Sequence, residues 1–206
     1  MRTTTHARAI LPLIVATLLA SPMSAQTHEH PAAADTPSPD AQKAFTLIKS
    51  LAGAWQGKVT VDPASKLSDK NDKNDKMDIT LRVTSRGNAV VHEMKAADAT
   101  DNPVKNDHPV TMMYLDGGNL VLTHYCDAGN RPRMGARISP DGKQVDFDFI
   151  DVAGPTTYGH MQHVRLTVID DTHHREDWTY ATPDGKTVTG HMDLERVSTV
   201  ASNTAK

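Results

Sequence analysis

Several short runs along this chain alternate apolar and polar residues one by one, and that period leaves little choice but an antiparallel sheet. Ile79, Leu81 and Val83 alternate with Thr80 and Arg82; Val90, His92 and Met94 with Val91, Glu93 and Lys95. The same period recurs at Leu120, Leu122 and His124, at Val145, Phe147 and Phe149, at Val164, Leu166 and Val168, and at Met192 and Leu194. Successive side chains of a strand point to opposite faces, so each run has one dry face and one wet face.

Turn residues separate the runs. Asp116-Gly117-Gly118-Asn119 reads as a hairpin turn. Pro140-Asp141-Gly142-Lys143 and Pro183-Asp184-Gly185-Lys186 are near copies, with Pro fixing φ and Gly suited to the left-handed position. Asp170-Asp171 marks another turn. The stretch 66–76 is a solvated loop; it lacks the mid-loop Gly and the closing Glu of a calcium loop. About ten strands result, near 54–62, 77–85, 88–97, 108–115, 119–126, 132–139, 143–150, 160–169, 173–181 and 186–197. Regular spacing and tight hairpins point to an all-β fold, a single up-and-down antiparallel β-barrel of about ten strands, with a sandwich as the rival. Closure removes exposed strand edges.

Before the strands, Asp40 is placed to cap a short N-terminal helix whose Phe45, Ile48 and Leu51 share a face, with Gly53 ending it. Residues 1–25 read as a signal peptide: Arg2 and Arg8, then the apolar stretch Ile10–Ala20, then small residues to Ala25. That stretch is shorter than the roughly 20 residues a membrane span needs, and no Cys near the cut offers a lipid anchor. The expected location is periplasmic or secreted, with no stable membrane anchor. Residues 26–40 read as a Pro- and Ala-rich linker, 41–198 as the barrel domain and 199–206 as a disordered tail. Cys126 is the only cysteine, so no internal disulfide can form.

A net charge of −3 without a Lys/Arg stripe excludes the electrostatic footprint of a nucleic-acid partner. Oligomeric state is left open. Aromatic residues make up only 4%, so the interior must be filled by aliphatic side chains and the adaptable methionines, nine in all, or remain partly open.

The segment Leu51-Ala52-Gly53-Ala54-Trp55-Gln56-Gly57 resembles the Gly-x-Trp opening of the calycin superfamily, the lipocalin, fatty-acid-binding-protein and nitrobindin-like barrels. The resemblance implies structural roles for Gly53 and Trp55, with Trp55 across the barrel floor, and for Arg196 of the last strand over its indole. Ten strands suit the fatty-acid-binding-protein and nitrobindin types better than eight-stranded lipocalins. The stretch from Leu122 to Met134 is similar to uncharacterised exported bacterial proteins.

Strand parity supplies the candidate site. His92 shares a face with Val90 and Met94, His124 with Leu122 and Cys126, His160 with Val164, and His174 with Glu176 and Trp178. With the apolar faces inward, these residues line the interior together with Tyr114 and Gln162. A few polar groups in an apolar cup are how small-ligand sites are built, so a small apolar molecule held by His92, Tyr114, His124, Cys126, His160, Gln162, His174, Glu176 and Trp178 is the leading expectation. The plainer account is a set of interior histidines satisfied by one another. No cofactor is required; haem is the one the resemblance admits, since nitrobindin-like barrels bind it through a His, and a metal held by convergent His residues is the related alternative. An enzyme in the barrel cup is a third. Cys126 with His124 nearby reads more simply as a small buried residue than as a nucleophile. If cleavage exposes Gln26, its amine, two amides and His28 could chelate Cu(II), against the plainer reading of a polar tail.

Overall fold

The structure is a computed structural model and describes residues 36–64 and 76–197. The expected signal peptide, the amino-terminal copper chelate at His28, most of the linker and the tail lie outside the described residues. So does almost all of the loop 66–76.

One helix precedes ten strands: α1 (Pro39–Ser50), β1 (Gly53–Asp62), β2 (Lys76–Thr84), β3 (Ala89–Ala96), β4 (Val110–Asp116), β5 (Asn119–Tyr125), β6 (Arg131–Ile138), β7 (Gln144–Ala153), β8 (His160–Val168), β9 (His173–Ala181) and β10 (Thr187–Arg196). Each strand pairs antiparallel with its sequence neighbours, and β1 also pairs with β10, from Trp55 opposite Arg196 to Asp62 opposite Thr189. That last pairing closes the barrel and rules out the sandwich. It needs a glycine: a Cβ on Gly57 would lie 1.8 Å from the Asp193 carbonyl oxygen.

The helix begins earlier than Asp40. Ser38 is the cap, its Oγ accepting from the Ala41 amide at 3.1 Å, and Pro39 occupies the first turn, where a missing N–H costs nothing. The helix ends at a Leu51 cap, and Gly53 opens β1 instead of closing α1. Gly53 is required there because its φ is +146° and a Cβ would meet Arg196 Nη1 at 2.5 Å.

Helix α1 lies against β4, β5 and β6 at the end of the barrel that carries the β4–β5 hairpin, where the Ser38 amide donates to the Gly118 carbonyl at 2.9 Å. Its Phe45, Ile48 and Leu51 join Trp55, Leu81, Leu120, Leu122, Phe147, Leu166 and Leu194 in one buried cluster that fills this closed end. Fully burying each such side chain contributes about 1.5–3 kcal/mol. The opposite end carries half-exposed inward-facing residues, among them Val59, Met77 and Tyr180. On the outer face of β6–β10, opposite charges meet: Arg133 on Asp151, Arg137 on Asp148, Arg165 on Asp146 and Arg175 on Asp193, while the His191 ring lies against Asp177. Among the described residues, no helix is long and apolar enough to cross a membrane.

Candidate functional site

Register brings three inward positions side by side. His92 on β3 stands opposite Thr111 on β4, and Thr111 opposite His124 on β5. On the far wall, His174, Glu176 and Trp178 are successive inward positions of β9. The two groups meet across the lumen. His92 Nε2 donates to both carboxylate oxygens of Glu176, at 3.2 and 3.0 Å. His174 Nε2 donates to Oε1 at 2.9 Å and Trp178 Nε1 to Oε2 at 2.8 Å. The Trp178 ring lies 5.3 Å from both the His92 and the His124 rings, and His174 stands edge-on to Trp55 at 4.2 Å. No member of this layer is more than 3% exposed.

A buried carboxylate is costly unless its oxygens are answered, and here three N–H groups answer them. Burial pushes the Glu176 carboxyl up, but the facing His92 charge and the imidazole hydrogen bonds outweigh it and hold the group well below the usual carboxylate range. His124 moves down to about 3, through burial first and the charge of His92 second. It is therefore neutral at physiological pH, its Nδ1 2.8 Å from Thr111 Oγ1. The Nδ1 atoms of His92 and His174 are sealed and have no hydrogen-bond partner.

The other expected residues fall elsewhere. Tyr114 faces outward, half-buried, with its hydroxyl 3.1 Å from Thr123 Oγ1. β4 carries apolar residues on both faces because Val91 and Val121 are buried on the outside of the neighbouring strands, so its alternation does not reveal the inner face. Gln162 is exposed, displaced by a register shift between Met161 and His163. His160 sits half-buried at the open rim, stacked on Phe149 at 4.7 Å, with its Nδ1 donating to the Met161 carbonyl at 2.9 Å. It borders a shallow depression of about 380 Å³ between residues 156–160 and 181–183. Cys126 lies half-buried just past β5. Burial pushes its thiol up, away from the thiolate a nucleophile needs, and His124 Nδ1 faces Thr111 instead.

Two further polar residues, Thr111 and Asn130, are fully buried. Thr111 was hidden by the ambiguous alternation of β4. Asn130, in the β5–β6 connection, donates to the Pro155 and Gly159 carbonyls at 3.0 and 2.8 Å and ties two loops of the open end together. Arg196 lies 4.0 Å over the Trp55 ring and donates to the Ala52, Ser50 and Asp171 carbonyls, so the helix–strand corner and the end of β10 are pinned as one unit.

The layer does not fit a metal or a haem. Nε2 of both His92 and His174 is spent on Glu176, and their remaining Nδ1 atoms are sealed among packed side chains. Among the described residues, no three His, Cys, Asp or Glu are arranged to hold an ion. A porphyrin would have to part Trp178 from the two imidazoles packed 5.3 Å from it.

No family model matches the chain, and no curated protein matches it. Among solved structures, Rv2717c from M. tuberculosis is similar at a TM-score of 0.52 and 11% identity, over 79% of this chain and 99% of that one. A protein of unknown function of the DUF3598 family from Nostoc punctiforme is similar at a TM-score of 0.45 and 9% identity, over 73% of this chain and 49% of that one. At such identities the likeness concerns the fold alone. The closed ten-stranded barrel and the match to Rv2717c fit a calycin-like barrel.

Proposed function

We propose that this is an exported calycin-type binding protein whose lumen takes a small, largely apolar ligand through the open end, oriented by the layer of His92, His124, His174, Glu176 and Trp178. The observation that carries the reading is the buried convergence on Glu176. Three N–H donors from two walls are spent on one carboxylate, and a neutral imidazole stands beside them. A barrel that needed only a core would be at least as stable with apolar residues there. A few fixed polar groups inside an apolar wall are the usual make-up of a ligand site. The closed end is filled, so the ligand occupies the open half, where the inward-facing Val59, Met77 and Tyr180 are half-exposed.

The test is titration with an uncharged alkyl-chain probe that brightens in apolar surroundings, read also through the protein's two tryptophans, Trp55 and Trp178. The expected result is saturable one-to-one binding that changes Trp178 emission and is lost in Trp55→Phe only as far as the fold is lost. Absence of saturable binding overturns the reading. A haem titration runs beside it: a shifted Soret band lost in His160→Ala would replace this reading with a haem site at the rim.

A further inference from the structure

We infer that the lumen is selective for an uncharged ligand, an apolar body ending in a hydroxyl, ester or carbonyl, and rejects both carboxylates and ammonium ions. The inference rests on the binding reading above and narrows its ligand class.

The first support is the absence of a cation for an acid to meet. Among the described residues, every lysine and arginine in the strands takes an outward position, as Arg82, Lys95, Arg133, Arg165 and Arg175 illustrate, with a single exception at the base. That exception is Arg196, and its guanidinium is committed: three backbone carbonyls accept from it and the Trp55 ring covers it. The imidazoles do not replace it. His92 and His174 point Nε2 at Glu176, which answers whatever charge they carry. His124 stays neutral.

The second support is the charge already present. Glu176 is an ionised carboxylate with no exposure to solvent. A second anion in the same lumen would face it through a medium that screens poorly, and would give up its own hydration to do so.

The third support concerns cations. A carboxylate offers about four acceptor positions. Here His92 bridges both oxygens, His174 holds Oε1 and Trp178 holds Oε2. An ammonium head would have to displace one of these donors and leave it buried without a partner, which is unfavourable. An alcohol or carbonyl carries no net charge to desolvate and sets no second charge beside the buried Glu176 carboxylate.

The experiment compares four probes with one alkyl fluorophore and four ends: hydroxyl, methyl ester, carboxylate and trimethylammonium. At about pH 8, where a free carboxylate is ionised, the hydroxyl and ester probes are expected to bind about tenfold or more tighter than either ion. A carboxylate probe that binds as tightly as the hydroxyl probe overturns the inference and leaves the binding reading standing. Saturable binding by none of the four overturns both. A cation placed in the open half by Val59→Arg, at a half-exposed inward position, is expected to raise carboxylate affinity relative to hydroxyl by about tenfold. An unchanged ratio in that folded variant also overturns the inference.

Discussion

Glu176 and His92 lie 84 residues apart in the chain and meet across the lumen, with His92 Nε2 within 3.2 Å of both carboxylate oxygens. The contact joins β9 to β3, strands that do not pair. Removing the carboxylate strands three buried N–H donors at once. Glu176→Ala is therefore expected to cost about 3–5 kcal/mol, the usual penalty for breaking a buried ion pair from one side. Glu176→Gln keeps one acceptor oxygen and should cost less, about 1–3 kcal/mol. Urea unfolding at neutral pH measures both; equal midpoints for Glu176→Ala and the parent protein would show that the contact carries no stability.

The same layer sets an acid limit. Unfolded, His124 takes up a proton below about pH 6.5; folded, it does so only near 3. As pH falls between those values, the unfolded state binds a proton that the folded state refuses, and stability drops by up to about 1.4 kcal/mol per pH unit for this one group. Glu176 acts in the same direction at lower pH. Its stabilisation is fully present above the ordinary glutamate value of 4.5 and is lost as pH falls below it toward the depressed folded value. Stability should thus begin to decline near pH 6.5, ahead of carboxylate titration. In His124→Gln, unfolding free energy measured across this range should fall less steeply between about pH 6.5 and 5, by about one proton's worth. An unchanged slope would mean that another group carries the loss.

Most of the barrel was legible because its strands alternate cleanly and its turns carry Gly and Pro at the required places. β7 shows this well: Val145 and Phe147 are buried while Asp146 and Asp148 face the outer charge network. β9 is polar on both faces, and only the face shared with Trp178 pointed His174 and Glu176 inward. What the sequence hid follows from physics that parity cannot carry. The register shift at Met161/His163 turns Gln162 to solvent, and a one-residue slip reverses every side chain beyond it. β4 is apolar on both faces, so Tyr114 and Thr111 could not be sorted by pattern. The Glu176–His92 contact depends on barrel diameter and strand stagger, which no local period encodes.

The base of the barrel makes its own prediction. Arg196 covers Trp55 at 4.0 Å and ties the Ala52 and Ser50 carbonyls of the helix corner to the Asp171 carbonyl of the β8–β9 turn. Lysine can form neither the planar stack nor the fork of three bonds. Arg196→Lys should lower stability by about 1–3 kcal/mol, a fall in melting temperature of roughly 2–4 °C per kcal/mol for a domain of this size. Gly53→Ala attacks the same joint from the other side, since its methyl would land 2.5 Å from Arg196 Nη1 at a φ of +146°. The double variant should therefore cost less than the two single losses added together. Strict additivity in thermal melts would show that Gly53 and Arg196 act separately.

Thr111 and Tyr114 lie three residues apart on β4 and face opposite media, which makes them a direct check on which face is inside. Thr111 is fully buried with its hydroxyl on His124 Nδ1, while the Tyr114 hydroxyl reaches Thr123 on the half-exposed outer face. Valine replaces threonine at nearly equal volume, so Thr111→Val removes the hydrogen bond without opening a cavity. It leaves a buried imidazole nitrogen unanswered, and the cost should be about 1–3 kcal/mol. It should also free the His124 ring to turn, seen as a change in its imidazole chemical shifts by NMR. Tyr114→Phe should stay within about 0.5 kcal/mol of the parent, as for an outward group away from special features. The reverse pattern, a large loss at Tyr114 and none at Thr111, would mean that β4 presents its other face to the lumen and that the His92–Thr111–His124 row is not assembled.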